Sequence, residues 1–244
     1  MSGSIKPDEL SEFLASRRST RDFLPDLIPR EVIDQLIRDG LTSPSWSNTR
    51  PFVVCVAVGD KRDRISTEFL KRWDAVKDVR GGSKWKLFKL LFTRYGLPTS
   101  NWLVIKPYPS DLLPRSQKVG KQLYEFVGIN RKDKRARDDA WARNYEFFGA
   151  PVELFIFTHK NLGKFAASDA GLFMQNLILS AHARGLGTCA QGAVATWEDV
   201  VRSEFNVPRQ YKLLCGLALG YPAKSKINSF QAERLRVNQI SIDE

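Results

Sequence analysis

Apolar residues follow two kinds of pattern along this chain, and each pattern predicts a different element. Apolar positions three and four residues apart predict helices. These run from Asp8 to Ala15 with Asp8 as the cap, from Pro29 to Gly40, from Ala166 to Ala181 and from Trp197 to Phe205. Unbroken apolar runs predict strands at Phe52–Val58, Pro151–Thr158 and Cys215–Gly220, the first of them buried on both faces. Their alternation indicates a mixed α/β sheet domain.

The middle of the chain departs from this pattern. Helical patterning between about residues 60 and 120 is interrupted by glycines and prolines. Residues 61–143 hold 21 Lys and Arg against 9 Asp and Glu, a net charge of +12 in a chain whose formal charge is +11. The positive charge favours anions, whether nucleotide, nucleic acid, acidic substrate or lipid. We interpret the whole chain, 1–244, as one domain with a basic insertion at about 60–120.

An arginine-rich segment directly follows the first predicted helix. Residues Ser16–Arg21 read SRRSTR, with guanidiniums and hydroxyls close together. This composition suits phosphate or another oxyanion, because arginine offers planar, paired donors. A solvated helix C-terminus has the same composition, since the helix dipole favours cations there.

Two other segments place polar or small residues at predicted turns. Thr42–Pro51, TSPSWSNTRP, offers Ser and Asn side chains on a path fixed by prolines. Gly185–Gly192, GLGTCAQG, begins like a dinucleotide fingerprint, but it follows a helix instead of a strand, so we reject the Rossmann interpretation. A glycine-rich turn beside a flat ligand and a plain connecting turn both remain open.

Residue types that carry most enzyme chemistry are sparse. His159 and His182 are the only histidines, and neither lies in a catalytic pattern. We find no Walker loop, zinc-protease helix, nucleophile elbow or cysteine cluster. Three cysteines without Cys-x-x-Cys spacing indicate free thiols in a reducing compartment, and with no signal pattern we expect the cytosol. The longest apolar run, Val53–Val58, is far below the roughly 18 residues of a membrane span.

Taken in order, these motifs resemble those of the FMN-dependent nitroreductase family. The resemblance lies in RRSTRxF from Arg17, SPSxxNxxP from Ser43, GAP from Gly149, DAG from Asp169, GLGTC from Gly185, LGYP from Leu219, and Asn228 and Arg234 in the tail. Stretches that begin at Gly120, Asn144 and Thr188 are similar to the branch of nitrobenzoate reductases. The resemblance covers about residues 8–59 and 124–240.

The resemblance implies a fold, an assembly and a flavin site. The fold would be a mixed, largely antiparallel sheet flanked by helices, in an intertwined homodimer with FMN at the interface. Arg17 and Ser19 would hold the FMN phosphate, with Arg234 from the tail and Arg18 toward the ribityl chain. Arg21 would lie at the N1–O2 edge, where a fixed cation stabilises reduced flavin.

Two further sets of residues are implied near the flavin ring. The other subunit would contribute Pro44, Ser45, Trp46 and Asn48. The ring near N5 would pack against Cys189, Ala190, Gln191 and Gly192, with Cys189 as a small packing residue. The implied reaction is ping-pong: NAD(P)H passes a hydride to N5, and a nitroaromatic, quinone or similar flat acceptor then takes its place. It requires no protein acid, base, nucleophile or metal.

Residues 84–95 of the insertion, KWKLFKLLFTRY, form a cationic amphipathic helix on paper. Lys86, Lys89 and Thr93 fall on one side, whereas Trp85, Phe88, Phe92 and Tyr95 mark another. We expect the apolar side to dock on the protein as a lid or dimer arm, with the lysines facing solvent. Contact with an anionic membrane surface and electrostatic steering of anionic substrates are the alternatives.

Two rival classes of function remain. A protein that binds nucleic acid or another anionic polymer through the basic segment would bind in a salt-dependent way, but no recognisable nucleic-acid module is present, so we expect no nucleic-acid partner. A flavin protein of the same fold with dehalogenating or flavin-fragmenting chemistry would keep the phosphate arginines and change the acceptor pocket. The sequence leaves NADH and NADPH both open.

Overall fold

The computed structural model describes residues 5–79, 82–100, 104, 106–130 and 132–242. In chain order the elements are α1 Pro7–Ser16, α2 Arg30–Gly40, β1 Phe52–Val58, α3 Gly59–Val76, α4 Lys84–Thr93, α5 Leu113–Val127, α6 Lys134–Ala142, β2 Val152–His159, α7 Gly163–Ala183, β3 Gly187–Gln191, α8 Glu198–Glu204 and β4 Tyr211–Gly220. Within these described ranges, none of the helices combines the length and apolar character that a membrane crossing needs.

The four strands form one sheet in the order β1-β2-β4-β3, and every neighbouring pair is antiparallel. A single parallel bridge, between Ser19 and Thr188, extends the sheet beyond β3. The predicted mixed and largely antiparallel sheet is therefore confirmed. The predicted burial of β1 on both faces is wrong for this chain, because β1 is an edge strand and most of its residues are only half-buried.

Side chains of the central strand β2 separate two apolar clusters, one on each face of the sheet. Leu154 and Ile156 belong to the cluster that includes residues of α2 and α7. Phe155 and Phe157 belong to the cluster that includes residues of α3 and α8. Alternate side chains of a strand point to opposite faces, so one buried strand supplies both clusters.

Several predicted boundaries shift for local reasons. Helix α1 begins at Pro7 with Lys6 as the N-cap, so Asp8 lies in the first turn and does not cap the helix. Pro29 is the N-cap of α2 and not part of its first turn. Gly40 closes α2 against α7: a Cβ added there would lie 2.6 Å from the Phe173 ring.

The predicted turn at 185–192 contains a strand. Gly185, just after the end of α7, has a φ of 72°. This left-handed conformation, which glycine adopts easily, terminates the helical segment. The chain then pairs with β4 from Gly187 to Gln191. The predicted helix from Trp197 to Phe205 is α8, preceded by a 3-10 turn over Ala193–Trp197. The sequence did not predict β3, because this edge strand is short and lacks a long apolar run.

The insertion is anchored to the turn that follows β3. Trp197 Nε1 donates to Gly96 O at 3.0 Å, and the Thr99 amide donates to Thr196 O at 2.9 Å. Helix α4 lies between α3 and this anchor, with the rings of Trp85, Phe88 and Phe92 stacked along one side at 6.0 and 6.4 Å.

The aromatic side of α4 is not docked on the rest of this chain. Trp85, Phe88 and Phe92 are 73, 62 and 81% exposed. The expected docking within the chain is therefore wrong for Trp85, Phe88 and Phe92. Tyr95 does contact α3, because its hydroxyl donates to Glu68 Oε1 at 3.1 Å. Docking of the exposed rings on a second copy stays a prediction. Lys86 and Lys89 stand on α4, but their side chains lie outside the described part.

Candidate functional site

The arginine-rich segment after α1 lies directly against β3. Ser19 pairs with Thr188 in the parallel bridge, and the Thr20 amide donates to Thr188 O at 2.9 Å. Gly187 permits this close approach, since a Cβ added there would lie only 2.4 Å from Thr20 Oγ1. The backbone of residues 19 and 20 is thus fixed to the sheet edge, and this positions the arginines on either side.

Two of the predicted cofactor-binding arginines, Arg17 and Arg21, lie near the buried Cys189, and a third, Arg234, lies near Arg17. Burial, and next the positive charge of Arg234, lower the pKa of Arg17. Burial raises the pKa of the Cys189 thiol to about 11, and the charges of Arg21 and Arg17 oppose that shift. Arg17 therefore lies within electrostatic reach of both Cys189 and Arg234, and Arg21 lies within reach of Cys189. In the part of the chain that the structure describes, no carboxylate pairs with Arg17, Arg21 or Arg234, which leaves a cationic cluster suited to an anionic ligand.

Asn228 from the C-terminal tail fixes the backbone beside Arg21. Its Oδ1 accepts from the Arg21 amide at 2.7 Å, and its Nδ2 donates to Asp22 O at 2.7 Å and to Ala223 O at 2.9 Å. One amide side chain therefore satisfies three backbone groups of two chain segments. The sequence marked Asn228 only as part of the tail motif, and its role as a backbone clamp was not predicted.

Arg18 points away from β3 toward the tail and the end of α7. Its Nη1 donates to Ser229 O at 3.4 Å, and the side chain is exposed. His182 Nε2 lies 2.7 Å from Ser16 Oγ. Burial, followed by the charges of Arg17 and Arg18, lowers the pKa of His182. This histidine is therefore a neighbour of Arg17 and Arg18.

The last residues of β3 alternate between the core and the open edge. Cys189 and Gln191 are buried, whereas Ala190 and Gly192 are exposed. Gln191 Nε2 donates to Asn144 O at 2.6 Å, which turns its side chain inward. Cys189 and Gln191 therefore offer only their backbone at this edge, and their place beside a flavin ring stays a prediction. Ala190 and Gly192 remain available to a flat ligand.

A cavity of about 490 Å³ opens between Arg21 and the helices that follow the insertion. It is lined in part by Arg21, Tyr124, Trp141, Arg143, Asn144 and Phe148. Because the Asn144 carbonyl also binds Gln191, this cavity adjoins the end of β3. Aromatic walls suit a flat molecule, and of the two guanidiniums at the edge Arg143 is paired with Glu146 and Asp22. None of the lining side chains from α5 and α6 was predicted as a site residue.

The loop that carries Pro44, Ser45, Trp46 and Asn48 packs on the beginning of α7. The Trp46 amide donates to Asp169 Oδ2 at 3.0 Å, and the Trp46 ring lies 4.1 Å from the Phe165 ring. Ser45 Oγ accepts from the Arg50 amide at 3.1 Å. Ser47, Asn48 and Arg50 have φ values of 48°, 57° and 44°. Such conformations are costly for residues other than glycine and recur at binding sites.

The length of helix α7 between two contacts indicates how far this loop lies from the arginine cluster. The loop binds Asp169 near the helix start, whereas Ser16 binds His182 near its end. Thirteen residues at 1.5 Å per residue separate these contacts by roughly 20 Å. Within one chain, Pro44, Ser45, Trp46 and Asn48 are therefore not brought to Arg17, Arg21 and β3.

Comparison with known proteins now assigns this arrangement to a family. The model of the nitroreductase family matches residues 14–221, from α1 to just beyond β4. The chain belongs to the nitroreductase family. The family resemblance seen in the sequence motifs is thus confirmed, and the matched range includes Arg17, Arg21 and the 44–48 loop, whereas Arg234 lies beyond it.

Relatives within the nitroreductase family align over nearly the whole chain. The 4-nitrobenzoate reductase of Pseudomonas putida is 30% identical over 236 residues, which cover 95% of this chain and 93% of the relative. The solved FMN-dependent nitroreductase NfnB from Mycobacterium smegmatis, a complex with NADPH, is 26% identical, with a TM-score of 0.79 over 96% of this chain and 97% of that one. A BluB-like flavoprotein from Clostridium difficile 630, 17% identical with a TM-score of 0.61, shares the fold.

Proposed function

We propose that this nitroreductase-family protein is an FMN-dependent oxidoreductase that uses NAD(P)H to reduce nitroaromatics, quinones or similar flat acceptors. The observation that carries the proposal is the cluster of Arg17, Arg21 and Arg234, which has no described carboxylate partner and lies against the open end of β3. A phosphate group would neutralise such a cluster. The relatives named above as nitrobenzoate and FMN-dependent nitroreductases support this choice over dehalogenating or flavin-fragmenting chemistry.

The residues divide into a phosphate end and a ring edge. Arg17, Arg234 and Ser19 would hold the phosphate, and Arg18 would approach it from the ribityl side. Arg21 would lie at the ring edge where negative charge develops on reduction, held in place by the Asn228 clamp on its backbone amide. The exposed backbone at Ala190 and Gly192 would face the ring. When bound, FMN would supply the group that accepts hydride from nicotinamide and delivers electrons to the acceptor.

A second copy of the chain would complete this site. Pro44, Ser45, Trp46 and Asn48 lie roughly 20 Å from the arginine cluster along α7, so they would reach the site of a partner chain and not their own. The exposed side of Trp46 and the backbone strain at Ser47 and Asn48 support an outward-facing ligand loop. We therefore infer a homodimer with two shared sites.

The acceptor would enter the cavity beside Arg21. Tyr124, Trp141 and Phe148 give it apolar walls for an aromatic ring, whereas Arg143 at its edge is already paired with Glu146 at 2.8 Å and with Asp22 at 3.5 Å. We also infer a cytosolic protein with a single domain, in which the stretch of about 60–120 is an insertion.

The cofactor proposal is tested by the absorbance spectrum of the purified protein. We expect a yellow protein that releases FMN on denaturation, with oxidation of NADPH or NADH that depends on an added nitrobenzoate. A folded, dimeric preparation that stays colourless and does not take up added FMN would contradict the proposal. Binding to nucleic acid that weakens steeply with salt, without a chromophore, would instead favour the anionic-polymer class.

A further inference from the structure

A carboxyl group lies inside the sheet, behind the end of β3. Glu153 of β2 is fully buried, and neither of its carboxyl oxygens has a hydrogen-bond partner among the described residues. Burying an unpaired carboxylate is costly, so the neutral acid is the stable form of such a group. Burial raises the pKa of Glu153 well above its usual range, and Arg62 and the Leu217 amide oppose that shift only in part.

The strand register places this acid next to Gln191. Glu153 stands opposite Ala218, which in turn stands opposite Cys189, all on one face of the sheet. In the next row, Gly216 stands directly opposite Gln191. A Cβ added to Gly216 would lie 2.1 Å from Glu153 Oε1, so the carboxyl group fills the space that a side chain at 216 would take. Opposite Cβ positions in a sheet are about 5 Å apart, which puts the acid beside the Gln191 side chain.

The Gln191 side chain has a hydrogen-bond acceptor without a donor, and the neutral acid of Glu153 would be a suitable donor. Its Nε2 donates to Asn144 O at 2.6 Å, and this bond fixes which atom of the amide is the oxygen. Its Oε1 is buried and has no donor among the described residues. A buried acceptor without a donor therefore adjoins a neutral acid that lacks an acceptor, and one hydrogen bond between them would satisfy both groups.

No neighbouring cation neutralises Glu153 within the described ranges. Arg62 of α3 donates to Ala150 O at 3.1 Å and to Glu146 O at 2.5 Å, so its guanidinium is engaged elsewhere. Cys189 of β3 and Cys215 of β4 also lie within its field, and burial raises the pKa of both thiols. Ala57 of β1 stands opposite Glu153 and carries no charge.

We propose that Glu153 is a positioning residue of the flavin site, which keeps its proton at neutral pH and donates it as a hydrogen bond to Gln191 Oε1. The chain from Glu153 through Gln191 to Asn144 O would then fix the exposed backbone of Ala190 and Gly192. Its importance for FMN rests on the proposed function, whereas the retained proton is a property of the folded chain alone.

The proposal that Glu153 keeps its proton is tested by unfolding the full chain in denaturant without added FMN, at one protein concentration and several pH values. A raised folded-state pKa means that the folded state binds the extra proton, so its stabilising effect is complete below the ordinary value of 4.5 and is lost as pH rises toward the folded value. Relative to Glu153→Gln, which mimics the neutral acid, the unfolding constant of the parent should rise as pH increases above 4.5, by up to about tenfold per pH unit, until the folded protein loses the proton. Parallel pH curves would overturn the retained proton.

The positioning role is tested by titrating FMN into the same proteins at pH 7. Glu153→Gln keeps a donor and should bind within about twofold of the parent, whereas Glu153→Met keeps the volume without a donor and should bind about tenfold more weakly. Parent-like binding by the Met variant would overturn the positioning role alone. A folded parent that does not bind FMN would overturn the proposed function and the positioning role together, while the unfolding curves still decide whether the proton is retained.

Discussion

The two segments proposed to grip one flavin are built in different ways. Residues 17–21 are fixed to their own chain by the backbone bond from Thr20 to Thr188 and by the Asn228 clamp. The 44–48 loop is largely exposed, strained at Ser47 and Asn48, and tied to α7 through the Trp46 amide. One half of the site is complete in a single chain, and the other half is presented outward. If both segments hold one flavin, motifs that act together need not be close in the chain that carries them.

Mixing two damaged chains is the strongest test of this difference. Arg17→Glu removes the phosphate end, and Trp46→Glu removes the outward loop, so each homodimer should lose nearly all activity. Co-expressed chains that pair at random should regain about one quarter of the parent rate, because half of the dimers would hold one intact site. NADPH oxidation by the purified mixture measures the recovery.

The mixture is compared with each variant alone at equal FMN content. If both chains fold and form mixed dimers without recovered activity, the two halves do not belong to different subunits, and the shared site is wrong.

Within the fixed half, the arginines should separate by role. Arg17→Ala should weaken FMN binding about 10- to 100-fold, because a charge-assisted bond to phosphate is lost. Arg21→Ala should retain FMN and slow its reduction, because the cation at the ring edge is lost. FMN titration and stopped-flow reduction by NADPH measure the two effects. Arg38→Ala on α2 is the matched control for loss of one exposed charge, and equal behaviour of all three variants would contradict the assigned roles.

The contact between β3 and Thr20 should be sensitive to a single methyl group. Gly187→Ala places a Cβ 2.4 Å from Thr20 Oγ1, so we expect a loss of about 1–3 kcal/mol in the free energy of unfolding. Gly171→Ala is the matched control, because nothing lies within 4 Å of a Cβ added there. As Gly171 lies in α7, alanine should stabilise the chain by about 0.5–1 kcal/mol. Denaturant unfolding measures both, and equal stabilities would show that residues 19–20 are free to move away from β3.

The smallest expected effect is on His182 at the end of α7. Its pKa is lowered by burial and then by Arg17 and Arg18, so the neutral form is favoured in the folded state. That contribution to stability is present above the ordinary value of 6.5 and is lost as pH falls through the lowered folded value. Arg17→Ala should move the pKa of His182 upward, followed by NMR with the His159 signal as reference. An unchanged titration would place Arg17 outside electrostatic reach of His182.

Strand and helix types were predictable where apolar periodicity was long and regular. Phe52–Val58 matches β1 in both bounds, and the helix predicted at Ala166–Ala181 lies within α7. The strand β3 was not predicted, because its five residues are too few to show an alternating pattern of apolar and polar positions. Its pairing with β4 depends on the tertiary fold, which local sequence does not reveal.

The site shows the same division between local and tertiary information. Arg17, Arg21 and Arg234 were predicted together because the family motifs contain them, and the structure brings them together. The inward turn of Gln191 was not predicted, because it depends on the Asn144 carbonyl, far away in sequence. The sequence did contain an indication that Glu153 is unusual, because it is the one acidic residue within the otherwise apolar run PVELFIF.

The walls of the cavity beside Arg21 come largely from α5, α6 and the turn after α6, and none comes from a strand of the sheet. Residues that would choose the acceptor therefore stand on a different scaffold from the β3 edge that would hold the cofactor. Changes at Tyr124 or Trp141 could alter which molecules are accepted without disturbing the sheet. This separation gives directed evolution a defined target, a helical wall that can be varied while the redox machinery is left intact.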